Sequence, residues 1–261
     1  MAHPERNKTT PSAYPEIRTL LVLNAAEERL QAVLGRTGEL LVSREMRASG
    51  KGITLIPRAV QQCLREAELT AADLDGIACV RGPGAFTGLR IALSYALGLA
   101  RSQDLPLCGL DYLPLLAEIP ARVAPGELWV LTRARMNTVY MQGFVADAEK
   151  GVCPISDPAA LFLDQVRQIL EGREGPLHLA GTGVRENGEF LARHLPGAGF
   201  LDRIWDKPSP DLLLRAATRG SFSRSSIEPN YMRPSDAEAD LPRIAAQRGV
   251  DPDGWQTESS R

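Results

Sequence analysis

Histidine is scarce in this 261-residue chain: His3, His178 and His194 are all there are. No two stand four residues apart, so the helical His-x-x-x-His metal pair is excluded. Cysteine is also sparse. Cys63, Cys79, Cys108 and Cys153 are far apart and mostly in apolar settings. They read as small core residues of a reducing compartment, and give neither a disulfide framework nor a zinc knuckle. No apolar run reaches bilayer-spanning length. Residues Met1 to Glu16 are polar, carry Pro4, Pro11 and Pro15, and lack the apolar centre of a secretory signal. Neither charge sign dominates, since 30 basic and 32 acidic residues leave −2. The chain as a whole therefore shows no electrostatic footprint for nucleic acid. The expectation is a cytoplasmic protein that uses no metal and no cofactor.

What is present centres on Arg81-Gly82-Pro83-Gly84-Ala85-Phe86-Thr87-Gly88-Leu89-Arg90. The short apolar run Gly76 to Val80 before it predicts a buried strand, and Leu89 to Arg101 after it predicts a buried helix. Strand-to-helix turns of α/β proteins lie where ligands bind. Yet a Walker loop needs Lys and Ser or Thr after its last glycine, and Leu89-Arg90 stand there. For a dinucleotide loop, Ala85-Phe86-Thr87 makes the last spacing one residue too long. The glycines are read as supplying unusual backbone angles.

Taken in order, residues 1–16 are expected to be a flexible tail. Thr19 to Leu23, Leu30 to Leu34 and Leu40 to Ser43 predict three strands without an intervening helix, and Arg36-Thr37-Gly38 signals a hairpin. Beyond the loop Ser49-Gly50-Lys51-Gly52, a first helix is expected from an N-cap at Thr54, with Pro57 in its first turn. Its apolar stripe is Ile53, Ile56, Val60, Cys63, Leu64 and Ala67. The second helix is apolar on more than one face: Ile91, Leu93, Leu97 and Leu99 join Ala92, Ala96 and Ala100. Such a helix is covered on both sides, by the chain or by a partner. Leu105 to Gly109 and Tyr112 to Glu118 predict a strand and a helix. The stretch 120–127 reads as a hinge. A second unit follows: strands at Leu128 to Leu131, Thr138 to Val145 and Leu177 to Ala180, and helices at Pro158 to Glu171, Glu186 to Leu195 and Asp211 to Arg219. Residues 234–261 carry six acids against three arginines, a net −3, and are broken by three prolines, which predicts an extended segment.

Other candidate chemistry is thin. Counting leaves a Ser/His/Asp set open, but no nucleophile elbow occurs. The serines at 221, 223, 225 and 226 read as loop, Gly181-Thr182-Gly183 as a strand end, and Arg133 with Arg135 as a solvated turn.

The run Arg81 to Ile91 closely resembles the signature of the TsaB-type (YeaZ-like) proteins of bacterial tRNA threonylcarbamoyladenosine synthesis. The Leu21-Val22-Leu23-Asn24-Ala25 strand and turn, the helix near Leu55-Ile56-Pro57, Val139-Tyr140 and Pro229-Asn230-Tyr231-Met232-Arg233 fit the same family, over about residues 17–235. The resemblance implies a two-lobed α/β fold of the actin/hexokinase/Hsp70 (ASKHA) type with mixed sheets and flanking helices. The chain is expected to divide into a first lobe at 17–119 carrying the partner-binding helices, a second lobe at 120–222 whose last helix can pack back on the first lobe, and an extended segment at 223–261. The same resemblance implies a non-catalytic scaffold that binds a TsaD-type catalytic subunit through the two first-lobe helices. A TsaE-type ATPase acts with them, tRNA is met only through the complex, and homodimers use the same helices. The interface expectation is Leu55, Ala59, Gln62, Leu93, Leu97 and Arg101, with Arg81, Gly82, Pro83, Gly84, Phe86, Thr87, Gly88 and Arg90 as the signature loop and no catalytic residue. Departures are Asn24 for a common Asp, Lys51-Gly52 for a common His, Arg133-Ala134-Arg135 for Asp-Ala-Arg, and Asn137-Thr138 for Gly-Glu. Asn24 removes a carboxylate of the kind that holds Mg²⁺. The alternatives are an ASKHA-type ATPase or small-molecule kinase using the glycine turns, and a metallopeptidase-like protein, which the missing histidine pair disfavours.

Overall fold

The computed structural model describes residues 17–47, 52–135, 137–147 and 151–232. The tail at 1–16, Ser49 to Lys51 of the glycine-bracketed loop, and everything from Arg233 on lie outside the described residues.

The first sheet grows from β1 (Thr19–Asn24), buried along its whole length. Antiparallel β2 (Arg29–Arg36) and β3 (Glu39–Arg47) follow as hairpins. The turn between them places Thr37 at φ 50° and Gly38 at φ 82°, left-handed angles that glycine adopts without cost. Helix α1 (Gly52–Glu66) then leads to β4 (Gly76–Gly82), which is parallel to β1. Helix α2 (Phe86–Gln103) leads to β5 (Leu107–Asp111), parallel to β4. The strand order is β3-β2-β1-β4-β5. Alternate residues of the central strands face opposite sides. Leu21, Leu23, Ile77 and Cys79 meet α1 and α2, whereas Leu20, Val22, Ala78 and Val80 face the other side.

The short helices α3 (Tyr112–Ala117) and α4 (Pro120–Val123) connect to the second sheet. It contains β6 (Glu127–Arg133), β7 (Thr138–Asp147), β8 (Gly151–Pro154) and β9 (Ala159–Phe162). After α5 (Leu163–Leu170) come β10 (Leu177–Ala180), α6 (Thr182–Glu186), α7 (Gly188–His194) and β11 (Gly199–Phe200). The order is β11-β10-β6-β7-β8, with β9 also on β7. Read from β8, this repeats the first sheet: two antiparallel pairings, then two parallel ones. The chain thus builds one topology twice, in two lobes. Helix α8 (Pro210–Thr218) returns to the first sheet, where Leu214 lies against Gly35. A single apolar cluster joins the lobes: Leu20, Val22 and Val80 of one sheet, Leu128, Val130 and Phe144 of the other, with α3 and α8 between.

Several expectations are corrected. Helix α1 begins at Gly52, so Thr54 is not its N-cap and Pro57 lies in its interior. That proline removes one N–H from the helix ladder. Residues 159–162 are strand, because Ala159 to Phe162 pair with Thr138 to Met141, and tertiary pairing overrides a helical pattern. The hinge stretch contains α4, with Pro120 and Ala121 buried. The helix expected at 186–195 is interrupted at Asn187.

Candidate functional site

The glycine loop lies on the turn after β1. A Cβ at Gly84 would stand 2.1 Å from the Ala26 carbonyl oxygen, and one at Gly88 would stand 2.4 Å from that of Ala25. The Ala85 N–H donates to the Ala26 carbonyl at 2.6 Å. These glycines therefore permit backbone-on-backbone contact. Gly82 has φ 117°, and a Cβ there would meet the Asn230 carbonyl at 3.0 Å. Pro83 is buried between these glycines, and Thr87 is exposed. The Arg81 guanidinium grips the Asp111 carboxylate with both arms, Nε at 2.8 Å and Nη2 at 3.0 Å. The Arg90 guanidinium lies 3.9 Å over the Phe86 ring and donates to the Tyr231 hydroxyl at 3.2 Å. Asn24 uses its amide within the chain: Nδ2 donates to Gln31 Oε1 at 2.8 Å, and Oδ1 accepts from the Ala26 N–H at 3.1 Å. An ionised aspartate could not make the first of these bonds.

Helix α2 is sorted by the sheet. Leu89, Ala92, Ala96 and Ala100 are buried against it, so the small alanines allow close approach to the chain's own strands. The stripe turned to solvent is Thr87, Arg90, Ser94, Gly98 and Arg101. Half-buried Leu93 and Leu97 flank it. A Cβ at Gly98 would have no atom within 4 Å. On neighbouring α1, Gln62 is exposed and Leu55 half-buried, but Ala59 is fully buried. Ala59 therefore leaves the set of candidate surface residues: its methyl faces the sheet core.

Between the lobes lies a cleft of about 1260 Å³, lined from both sheets. Glu27 and Tyr112, which carry no sequence signal, meet Thr182 of the second glycine turn at the cleft floor. Glu27 accepts a hydrogen bond from the Tyr112 hydroxyl at 2.8 Å through one carboxylate oxygen and from the Thr182 hydroxyl through the other. Burial pushes the Glu27 carboxyl above its ordinary range, against the bonds from Thr182, Tyr112 and the Arg133 backbone. Burial and the neighbouring Glu27 push the Tyr112 phenol up, so it remains a donor. Thr182 also accepts from the Arg133 N–H at 3.0 Å. The Gly181-Thr182-Gly183 turn is a strand end: a Cβ at Gly181 would lie 2.3 Å from the Leu131 carbonyl. Arg133 is exposed, as a solvated residue would be, but it ends β6 instead of lying in the turn, and it pairs with Glu28 at 2.7 Å and Glu186 at 3.2 Å. Among the described residues no three His, Cys, Asp or Glu side chains gather as a metal site. His194 is tied to the Phe190 carbonyl at 2.9 Å.

Residues 47–180 match the family profile described as TsaD, tRNA N6-adenosine threonylcarbamoyltransferase. The tRNA threonylcarbamoyladenosine biosynthesis protein TsaB of Haemophilus influenzae is 31% identical over 82% of this chain and 93% of its own. Escherichia coli TsaB is 29% identical over 63% of this chain and 71% of its own. The solved YeaZ of Pseudomonas aeruginosa superposes with a TM-score of 0.65 at 26% identity, over 82% of this chain and 99% of that one.

Proposed function

The chain belongs to the TsaB (YeaZ-like) family of tRNA threonylcarbamoyladenosine biosynthesis proteins, and from that membership we propose that it is the non-catalytic scaffold of the modification complex. In this reading it binds a TsaD-type catalytic subunit, works with a TsaE-type ATPase, and forms homodimers through the same face when that subunit is absent. The carrying observation is the outward side of α2. Leu93 and Leu97 are half-exposed beside Ser94 and Gly98, whose small side chains let a second helix approach closely. Leu55, Gln62 and Arg101 extend that face. The non-catalytic role is supported by the glycine loop, whose close approaches are taken up by the Ala25, Ala26 and Asn230 backbone. No helix among the described residues is long and apolar enough to cross a membrane.

The test is capture of the cognate catalytic-type subunit by the tagged full chain. Wild type is expected to retain it, and Leu93→Asp and Leu97→Asp to lose it while remaining folded by circular dichroism. Retention by both folded variants would remove this face as the interface.

A further inference from the structure

We propose that the cleft between the lobes binds RNA directly, with phosphates at its basic mouth and an unstacked base on the Phe86–Tyr231 pair; this rests on the family reading above. The protein carries −2 overall, yet the cleft is lined by eight basic side chains and four acidic ones, and counting Glu45, which pairs with two of the eight, still leaves a local +3. Opposite-sign focusing of this kind concentrates an anion at the site. Seven of the eight are arginines, whose planar fork matches phosphate.

The positive charge is incompletely neutralised. Glu45 alone serves Arg29 and Lys207, each at 2.5 Å. Glu28 is shared by Arg47 at 3.2 Å and Arg133 at 2.7 Å, the latter also reaching Glu186 at 3.2 Å. Among the described residues Arg90, held instead by Phe86 and Tyr231, and Arg203 have no carboxylate partner, and both line the cleft. Arg203 is exposed. At the same mouth the rings of Phe86 and Tyr231 stand 4.9 Å apart, with Arg90 over Phe86. Aromatic and guanidinium planes are what single-stranded nucleic acid stacks on.

The floor separates RNA from a small phosphorylated ligand. Glu27 sits there, so phosphates entering deeply would meet a carboxylate. A backbone lying across the mouth avoids it. The volume also exceeds the usual few hundred Å³ up to about 1000 Å³ of small-molecule pockets. The sequence concealed all this because the cations come from six separate stretches of a chain with no net positive charge.

The experiment is fluorescence anisotropy of a labelled RNA hairpin with an unpaired loop, titrated with the full chain over a series of salt concentrations. Wild type is expected to bind at low salt. Arg203→Glu should weaken binding at least about tenfold, and Arg203→Ala should flatten the log–log salt slope by about 0.7, one phosphate contact to a single strand. Arg58→Glu, an equal charge change on exposed α1 surface, should leave binding within about twofold. Absence of binding by wild type, equal losses in the Arg203 and Arg58 variants, or complete displacement by tripolyphosphate at equal phosphate concentration would each overturn the proposal. Capture of the catalytic-type subunit is measured on the same preparations. Capture without RNA binding defeats only the cleft proposal; RNA binding without capture defeats the scaffold reading.

Discussion

The Asn230 N–H donates to the Arg81 carbonyl at 2.8 Å. This bond fastens the end of the described chain over the glycine loop, 149 residues earlier in sequence. Next to it Tyr231 packs on Phe86 and accepts from Arg90. The loop is therefore held from two sides, by the turn after β1 below and by this segment above.

Truncating Tyr231 tests the upper clamp. Tyr231→Ala removes one aromatic pair and the contact with Arg90, and should destabilise by about 1 kcal/mol. Urea unfolding measures this. An unchanged midpoint would mean the segment does not hold the loop.

Two glycines should respond oppositely. Gly84→Ala forces a methyl to within 2.1 Å of a carbonyl oxygen, and should cost about 1–3 kcal/mol or more. Gly98→Ala meets nothing within 4 Å and should stabilise α2 by about 1 kcal/mol. Chemical denaturation of both variants decides; equal effects would contradict the packing.

The open space at Gly98 also tests the interface without disturbing the core. Gly98→Trp should abolish capture of the catalytic-type subunit while shifting Tm by no more than about 3 °C. Undiminished capture would place the contact elsewhere.

Glu27 should leave a pH signature. Its folded carboxyl titrates above the unfolded value of about 4.5, so the folded state binds the proton more readily. The stability this contributes is fully present below the unfolded pKa and is lost as pH rises through the folded one. Glu27→Gln has no such loss. The Tm of Glu27→Gln relative to wild type should therefore climb with pH from the unfolded value upward. A pH-independent difference would rule out burial as the dominant influence on this group.

The ATPase alternative predicts heat on titrating Mg²⁺ and ATP into the protein. Calorimetry is expected to show none, because the Asn24 amide is spent on Gln31 and the Ala26 N–H and the loop glycines are packed on the Ala25 and Ala26 backbone. A saturable heat would reinstate the enzyme reading.

Local pattern determined much of this protein. Continuous apolar runs placed β1 and β4, the stripe Ile56, Val60, Cys63 and Leu64 placed the buried side of α1, and the literal run Arg81 to Ile91 pointed to the family. Periodicity and caps act over a turn or a strand, so they survive without tertiary context. Only the folded structure decided the rest. Residues 159–162 became strand because β7 offered backbone partners. Which side of α2 faces outward depended on which side the sheet covered, and it put Ser94 and Gly98 in solvent and the alanines inside. The loop's glycines gained their reason from Ala25, Ala26 and Asn230. Glu27 and Thr182, 155 residues apart, met only once two sheets had closed on one cleft. Contacts of that separation leave no periodic trace in sequence, because their geometry is set by how the lobes pack.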